Sequence, residues 1–158
     1  MSGEKLTHSE IIEIGYKWLF SKCSFAVKDL VTHNQETPDI IGWNAEGSFL
    51  LEAKVSRSDF LADKKKPFRL NPETGMGDWR FFIAPKGLIR VEELPDMWGL
   101  IEVNEKRKAT MVHNPFGKGN IYCTWHKHEK CNGSEVIIMK SVLRRLHQKG
   151  LINEIYKK

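Results

Sequence analysis

The stretch TPDIIGWNAEGSFLLEAKVSRSDF, residues 37–60, carries the reading of the fold. Two runs of strand-forming residues, Pro38 to Trp43 and Ser48 to Val55, flank Asn44-Ala45-Glu46-Gly47, whose Asn and Gly suit a tight turn. With Trp43 facing Ser48 across that turn, antiparallel counting puts Leu50 opposite Ile41 and Glu52 opposite Asp39. Directly opposed residues share a face, with Cβ atoms about 4.5–5.5 Å apart. Strand side chains alternate, so Lys54 lies on the face of Glu52, while Phe49, Leu51, Ala53 and Val55 take the other face as core.

Two anions placed this way repel each other unless something positive lies between them. A hard divalent cation such as Mg²⁺ meets that need, because it takes one or two protein carboxylates and leaves the rest of its shell to waters and substrate phosphates. Lys54 beside such a cation would orient a water or neutralise charge building on a phosphate. The spacing therefore suits metal-assisted hydrolysis of a phosphodiester. An isolated Glu-x-Lys is usually a solvated sheet face. The hairpin register strengthens the site reading by adding Asp39.

Outward from the hairpin, residues 7–22 carry apolar positions at helical spacing (Ile11, Ile12, Gly15, Trp18, Leu19), opened by a Thr7/Glu10 capping-box pattern. FAVKDLV (25–31) reads as a strand. SRSDFLADKKK (56–66) reads as a helix capped at Ser56 and stopped by Pro67. DWRFFIAP (78–85) is a fourth strand, followed by a loop, WGLIEV (98–103) and TMVHNPF (110–116) as a further hairpin. SEVIIMKSVLRRLHQKG (134–150) is a last helix, capped by Ser134 and ended by Gly150. The order predicts one mixed α/β domain over residues 1–158, with an αβββαβ core, an extra hairpin and a C-terminal helix covering the sheet.

A chain of 158 residues suits one domain with its own core. No apolar run is long enough to span a bilayer, and MSGEKLTHSE lacks the charged-then-apolar pattern of an export signal, so no membrane partner is expected. Three cysteines, Cys23, Cys123 and Cys131, are too scattered for a disulfide framework, which predicts a reducing, cytoplasmic setting. The formal charge of +5 favours a polyanionic partner.

With these residues in view, the chain resembles the PD-(D/E)xK nuclease superfamily, with Pro38-Asp39 and Glu52-Ala53-Lys54 in the defining positions. EAKVSRSDFLADKKKPFR, WRFFIAPKGLI and LPDMWGLIEV look more narrowly like the small MmcB-like group linked to DNA repair, with similar proteins in phages. The resemblance runs from about Pro38 to Val112 and leaves the C-terminal third uncovered. It implies a Mg²⁺- or Mn²⁺-dependent deoxyribonuclease, bacterial or phage-encoded, with DNA as partner and a homodimer allowed for. Asp39, Glu52 and the Ala53 carbonyl would ligate the metal and Lys54 would act on the attacking water. The superfamily often adds a glutamate from the first helix, and here the sequence departs. Glu13 points away from the buried face, whereas His8 falls on it. His8 is therefore the candidate for that slot, with Glu10 second and a packing or capping His8 as the alternative.

Arg57, Lys64, Lys65, Lys66 and Arg69, on or after the helix that follows Lys54, would grip flanking phosphates, and Arg80 would reach phosphate from the fourth strand. The plain alternative is a solvated helix end. Lys140, Arg144 and Arg145 form a basic stripe that reads as a solvated face. Cys123, His126, His128 and Cys131 are side chains of the types that ligate zinc, but zinc sites usually pair two close ligands with two distant ones, and four from one nine-residue loop are cramped. A polar loop is the favoured reading there. The rival functions are a DNA-binding protein of the same fold that does not cleave, or an adaptor in a repair or defence complex.

Overall fold

Thr7 and Glu10 close a reciprocal capping box, Thr7 N–H donating to Glu10 Oε2 (2.8 Å) and Glu10 N–H to Thr7 Oγ1 (3.2 Å). This opens α1, His8–Phe20, which buries Ile11, Ile12, Gly15 and Leu19. Gly15 lets the helix settle on the sheet: a Cβ there would stand 2.6 Å from Ile40 Cδ1 and 3.2 Å from Ile83 Cδ1. The computed structural model describes residues 3–32, 36–116 and 125–158.

The sheet has six strands: β1 Phe25–Lys28, β2 Ile40–Trp43, β3 Ser48–Ala53, β4 Trp79–Pro85, β5 Trp98–Val103 and β6 Ala109–His113. They lie side by side in chain order. β1, β2 and β3 pair antiparallel, β3 with β4 and β4 with β5 parallel, and β5 with β6 antiparallel. A parallel step needs a crossover. Between β3 and β4 it is made by α2, Arg57–Asp63, and the short α3, Pro67–Leu70. The last helix is α4, Asn132–Gln148. This is the mixed α/β architecture that the sequence predicts, in the predicted order.

The two faces of the sheet build separate cores. Phe49, Leu51, Ala53, Ile83 and Ile101 pack under α1 with Ile11, Ile12 and Leu19. Leu50, Phe82 and Leu100 pack on the opposite face with Phe60 of α2, Ile89 and Trp98. Ile138 of α4 seals a smaller patch with Ile41 and Met76. Every residue of β3 is buried, because helices or loops cover both of its sides.

Local readings change at several element ends; β3 stops at Ala53, β6 runs Ala109–His113 and α1 ends at Phe20. β1 stops at Lys28, three residues short of the predicted end, where Asp29 turns the chain at φ +47°. β2 begins at Ile40 rather than Pro38. Pro67 does more than stop a helix: α2 has already ended at Asp63, and the ring's fixed φ starts α3 as its first residue. α4 begins two residues before Ser134, with Cys131 at its N-cap, and Gly150 (φ +71°) follows its end as predicted. Among the described residues, no helix is long and apolar enough to cross a membrane.

Candidate active site

The β2–β3 register pairs Trp43 with Ser48, Gly42 with Phe49, Ile41 with Leu50 and Ile40 with Leu51. One step further, Asp39 stands opposite Glu52, as the turn chemistry predicts. Asn44 Oδ1 holds that turn by accepting from the N–H groups of Glu46 (2.8 Å) and Gly47 (3.2 Å). Beyond Ile40 the Asp39 side chain takes over from the backbone ladder: its Oδ2 accepts the Ala53 N–H at 2.9 Å. His8, at the first turn of α1, brings Nε2 within 3.6 Å of the same oxygen. The His8 side chain is 44% exposed and that of Asp39 19%, so this corner meets solvent.

Glu52 is different. Its side chain is 4% exposed, and its pKa is pushed up to about 8. Burial is the main cause and the neighbouring Asp39 carboxylate the second, against the pull of Arg69 and Lys66. The nearest cation is Arg69, whose Nη2 lies 3.3 Å from Glu52 Oε1 but makes no hydrogen bond.

Arg69 is the hub behind the two strand carboxylates. Its Nε donates to Asp63 Oδ2 (2.8 Å) and its Nη1 to Glu36 Oε1 (3.1 Å). Its guanidinium lies 4.6 Å from the Trp98 ring centre and 4.9 Å from that of Phe68. Glu36 is fixed in turn by the Met76 N–H (2.8 Å), and its pKa is raised, first by burial, with Arg69 opposing. Lys54 Nζ (2.9 Å) and Lys66 Nζ (3.0 Å) lie at ion-pair distance from Asp63 Oδ1. Burial would raise the Asp63 pKa, but Arg69 and Lys54 outweigh it and hold the carboxyl below its ordinary range. Lys54 is on the predicted face, and it is buried as well as paired.

The basic residues expected on phosphate divide. Lys64 and Lys65 are exposed at the end of α2. Lys66 is half-buried on Asp63. Three arginines are not where the phosphate reading needs them. Arg69 is interior, because three carboxylates and two rings are its nearest neighbours. Arg80 is buried and donates to the carbonyls of Gly77, Pro72 and Glu129, stapling loops together. Arg57 forks onto Glu93 (2.7 and 2.5 Å) and the Leu88 carbonyl, tying α2 to the loop before β5. Glu10, the second candidate for the first-helix slot, is committed to the Thr7 cap and to Arg107 at 3.3 Å, so it does not face Asp39.

Of the four zinc-type side chains, Cys123 lies outside the described residues. His128 is packed: its Nε2–H donates to the Met97 carbonyl (3.1 Å), and burial, with Arg80 nearby, pushes its pKa down to about 4. The His126 carbonyl accepts from Trp79 Nε1, and Cys131 caps α4. Among the described residues, no three His, Cys, Asp or Glu side chains converge as a metal cluster.

Glu36, Asp63 and Trp98 escape the sequence reading. Asp63 alone had a signal, since it lies three residues after Phe60 on the inner face of α2. A second buried polar network also went unread: Lys130 Nζ reaches Asp78 (2.8 Å), Glu135 (3.0 Å) and Ser48 (3.0 Å), and Ser48 donates to Glu135 (2.8 Å). It pins the segment before α4 beneath the β2–β3 hairpin.

No protein-family model and no curated relative matches this chain. A solved structure does: the SPO1766 protein of unknown function from Silicibacter pomeroyi, with a TM-score of 0.61 over 97% of this chain and 96% of that one. The two are 18% identical, and the likeness establishes a shared fold.

Proposed function

We propose that this protein is a Mg²⁺- or Mn²⁺-dependent nuclease that hydrolyses DNA phosphodiester bonds, in DNA repair, recombination or phage DNA processing. The observation that carries this reading is the Asp39–Glu52 pair across β2 and β3, where Asp39 meets solvent and Glu52 is buried beside Arg69 without a hydrogen bond from it. The donor set fits a hard cation: carboxylate oxygens of Asp39 and Glu52, with the Ala53 carbonyl directly after Glu52 in sequence and water completing the shell. Bound there, the metal would polarise a phosphate oxygen and lower the pKa of the attacking water.

The chain's own groups then have distinct tasks. Asp39 is already oriented by the Ala53 N–H, so little reorganisation is needed at that oxygen. Asp63 holds the Lys54 ammonium on the face of Glu52, where it would neutralise charge developing on the phosphate. His8 borders Asp39 from α1 and would accept or donate a proton at the open side. The resemblance to PD-(D/E)xK nucleases supports the same assignment.

A second reading, a DNA-binding protein of this fold that does not cleave, is favoured by one observation: Asp63 and Arg69 already engage Lys54 and Glu52. Incubation with labelled single-stranded, duplex and branched DNAs in Mg²⁺ or Mn²⁺ separates the two. Metal-dependent cleavage lost in Asp39→Asn supports the nuclease, and tight binding with no cleavage on any substrate supports the binder.

A further inference from the structure

At the carboxyl ends of the three parallel strands the surface opens into a cavity of about 820 Å³. Its floor is apolar: Val55 just after β3, Pro85 closing β4, Val103 closing β5, and Leu6 from the segment leading into α1. Its rim is cationic, with Lys5, Lys86 and Lys106 all exposed and none of them in a salt bridge among the described residues. Arg107 also lines it, with part of its charge taken by Glu10, and Glu4 and Glu105 are the acids present.

The cavity abuts the candidate active site along the chain at two points. Val55 follows Lys54, and Leu6 lies two residues before His8. Asp39 lies at the same edge of the sheet, because β2 begins where the antiparallel β3 finishes. An apolar floor with a rim of unpaired lysines suits a chain of alternating flat, weakly polar units and anionic links. Bases and sugars rest on the floor, and phosphates meet the ammonium groups. A cavity of this volume is in the range of small-ligand pockets and accommodates a short piece of one strand.

We propose that this carboxyl-edge groove binds single-stranded nucleic acid, its phosphates on Lys5, Lys86 and Lys106, and delivers the strand to the Asp39–Glu52 corner. The proposal rests on the nuclease reading for the delivery step, while the groove's location and ligand class stand on its own lining. It also moves the nucleic-acid contact away from Lys64 and Lys65.

The test is fluorescence anisotropy with a labelled oligothymidylate in EDTA, so that cleavage plays no part. The Lys5→Ala/Lys86→Ala/Lys106→Ala triple variant should bind at least ~10-fold more weakly than wild type. Its slope of log K against log salt should be shallower by about 2, three contacts at about 0.7 each. Lys64→Ala/Lys65→Ala should bind as wild type does, and an unchanged melting temperature shows that the triple variant folds. Wild-type-like binding by the triple variant overturns the proposal. So does tighter binding of a duplex of equal length, or full competition by inorganic pyrophosphate, which would mark a small-anion site. Binding that depends on these lysines in a protein that never cleaves would remove the nuclease reading and leave the groove. Cleavage by a triple variant that binds normally would do the reverse.

Discussion

Arg69 Nη2 stands 3.3 Å from Glu52 Oε1 in the interior and makes no hydrogen bond there, while the other nitrogens of the same guanidinium are bound to Asp63 and Glu36. One buried cation thus serves three buried carboxylates. Removing it leaves uncompensated charge, which is more costly than losing the pair itself. Arg69→Met should therefore destabilise the protein by about 3–5 kcal/mol in urea denaturation. A loss under about 1 kcal/mol would mean that the hub does not exist in solution.

Asp39 faces Glu52 across β2 and β3, so Mg²⁺ or Mn²⁺ held by both carboxylates should relieve repulsion and stabilise the folded form. At a hundredfold excess over Kd the gain is about 2.7 kcal/mol. Asp39→Asn should abolish that gain and the cleavage together, while keeping an oxygen for the Ala53 N–H and so its metal-free stability. Thermal melts with and without metal check this, and a wild-type metal response in the variant would remove Asp39 from the ligand set.

His8 is half-exposed, so His8→Ala should leave the melting temperature within a degree or two, the range for surface substitutions. If His8 serves the site, cleavage per folded molecule falls. If stability falls instead and cleavage holds, His8 is a packing residue.

Lys54 is expected to separate catalysis from metal binding. Lys54→Met keeps the length of the buried side chain and leaves Asp63 with Lys66 and Arg69. The metal-induced rise in melting temperature should persist, and cleavage should slow by about 10²–10⁴-fold. A variant that loses the metal response as well would make Lys54 a determinant of the metal site.

Two buried groups should tilt stability against pH in opposite directions. His128 titrates near 4 in the fold and near about 6.5 when unfolded, so its contribution is complete above about pH 6.5 and is lost as pH falls toward 4. Glu52 titrates near 8 in the fold and near about 4.3 unfolded. The folded state therefore holds the extra proton, and its contribution is complete below about pH 4.3 and lost as pH rises through 8. Between pH 6.5 and 8 Glu52 acts without His128. There Glu52→Gln should gain stability over wild type by up to about 1.4 kcal/mol per pH unit. His128→Gln should flatten the acid limb alone. Parallel wild-type and Glu52→Gln curves above pH 6.5 would show that Glu52 is not held protonated.

The hairpin was legible because its information is local. Alternation with a period of two decides which residues share a face, and an Asn-to-Gly turn of defined length decides which residues oppose one another. Asp39 opposite Glu52, with Lys54 on the same face, follows from those constraints alone. The capping box and buried stripe of α1 are equally local; they put His8 on the buried face, whereas its side chain is 44% exposed and borders Asp39 at the solvent edge.

What the sequence by itself determined, then, was the order of elements, the register of the central hairpin and the pair of carboxylates it brings together. Only the tertiary structure decided which charges those carboxylates meet. Arg69, Arg80 and Arg57 are basic residues near a basic helix in sequence, and nothing in that sequence tells a guanidinium bound for phosphate from one bound for Glu36 or for the Glu129 carbonyl. Partner choice depends on how α2, α3 and the loops before β4 and β5 pack over one face of the sheet. Those contacts join residues about thirty positions apart, such as Arg69 with Glu36 and Arg57 with Glu93. Periodicity acts over a few residues and carries no information about them. Burial then makes pairing compulsory, because an ion removed from water must find an opposite charge or give up its own.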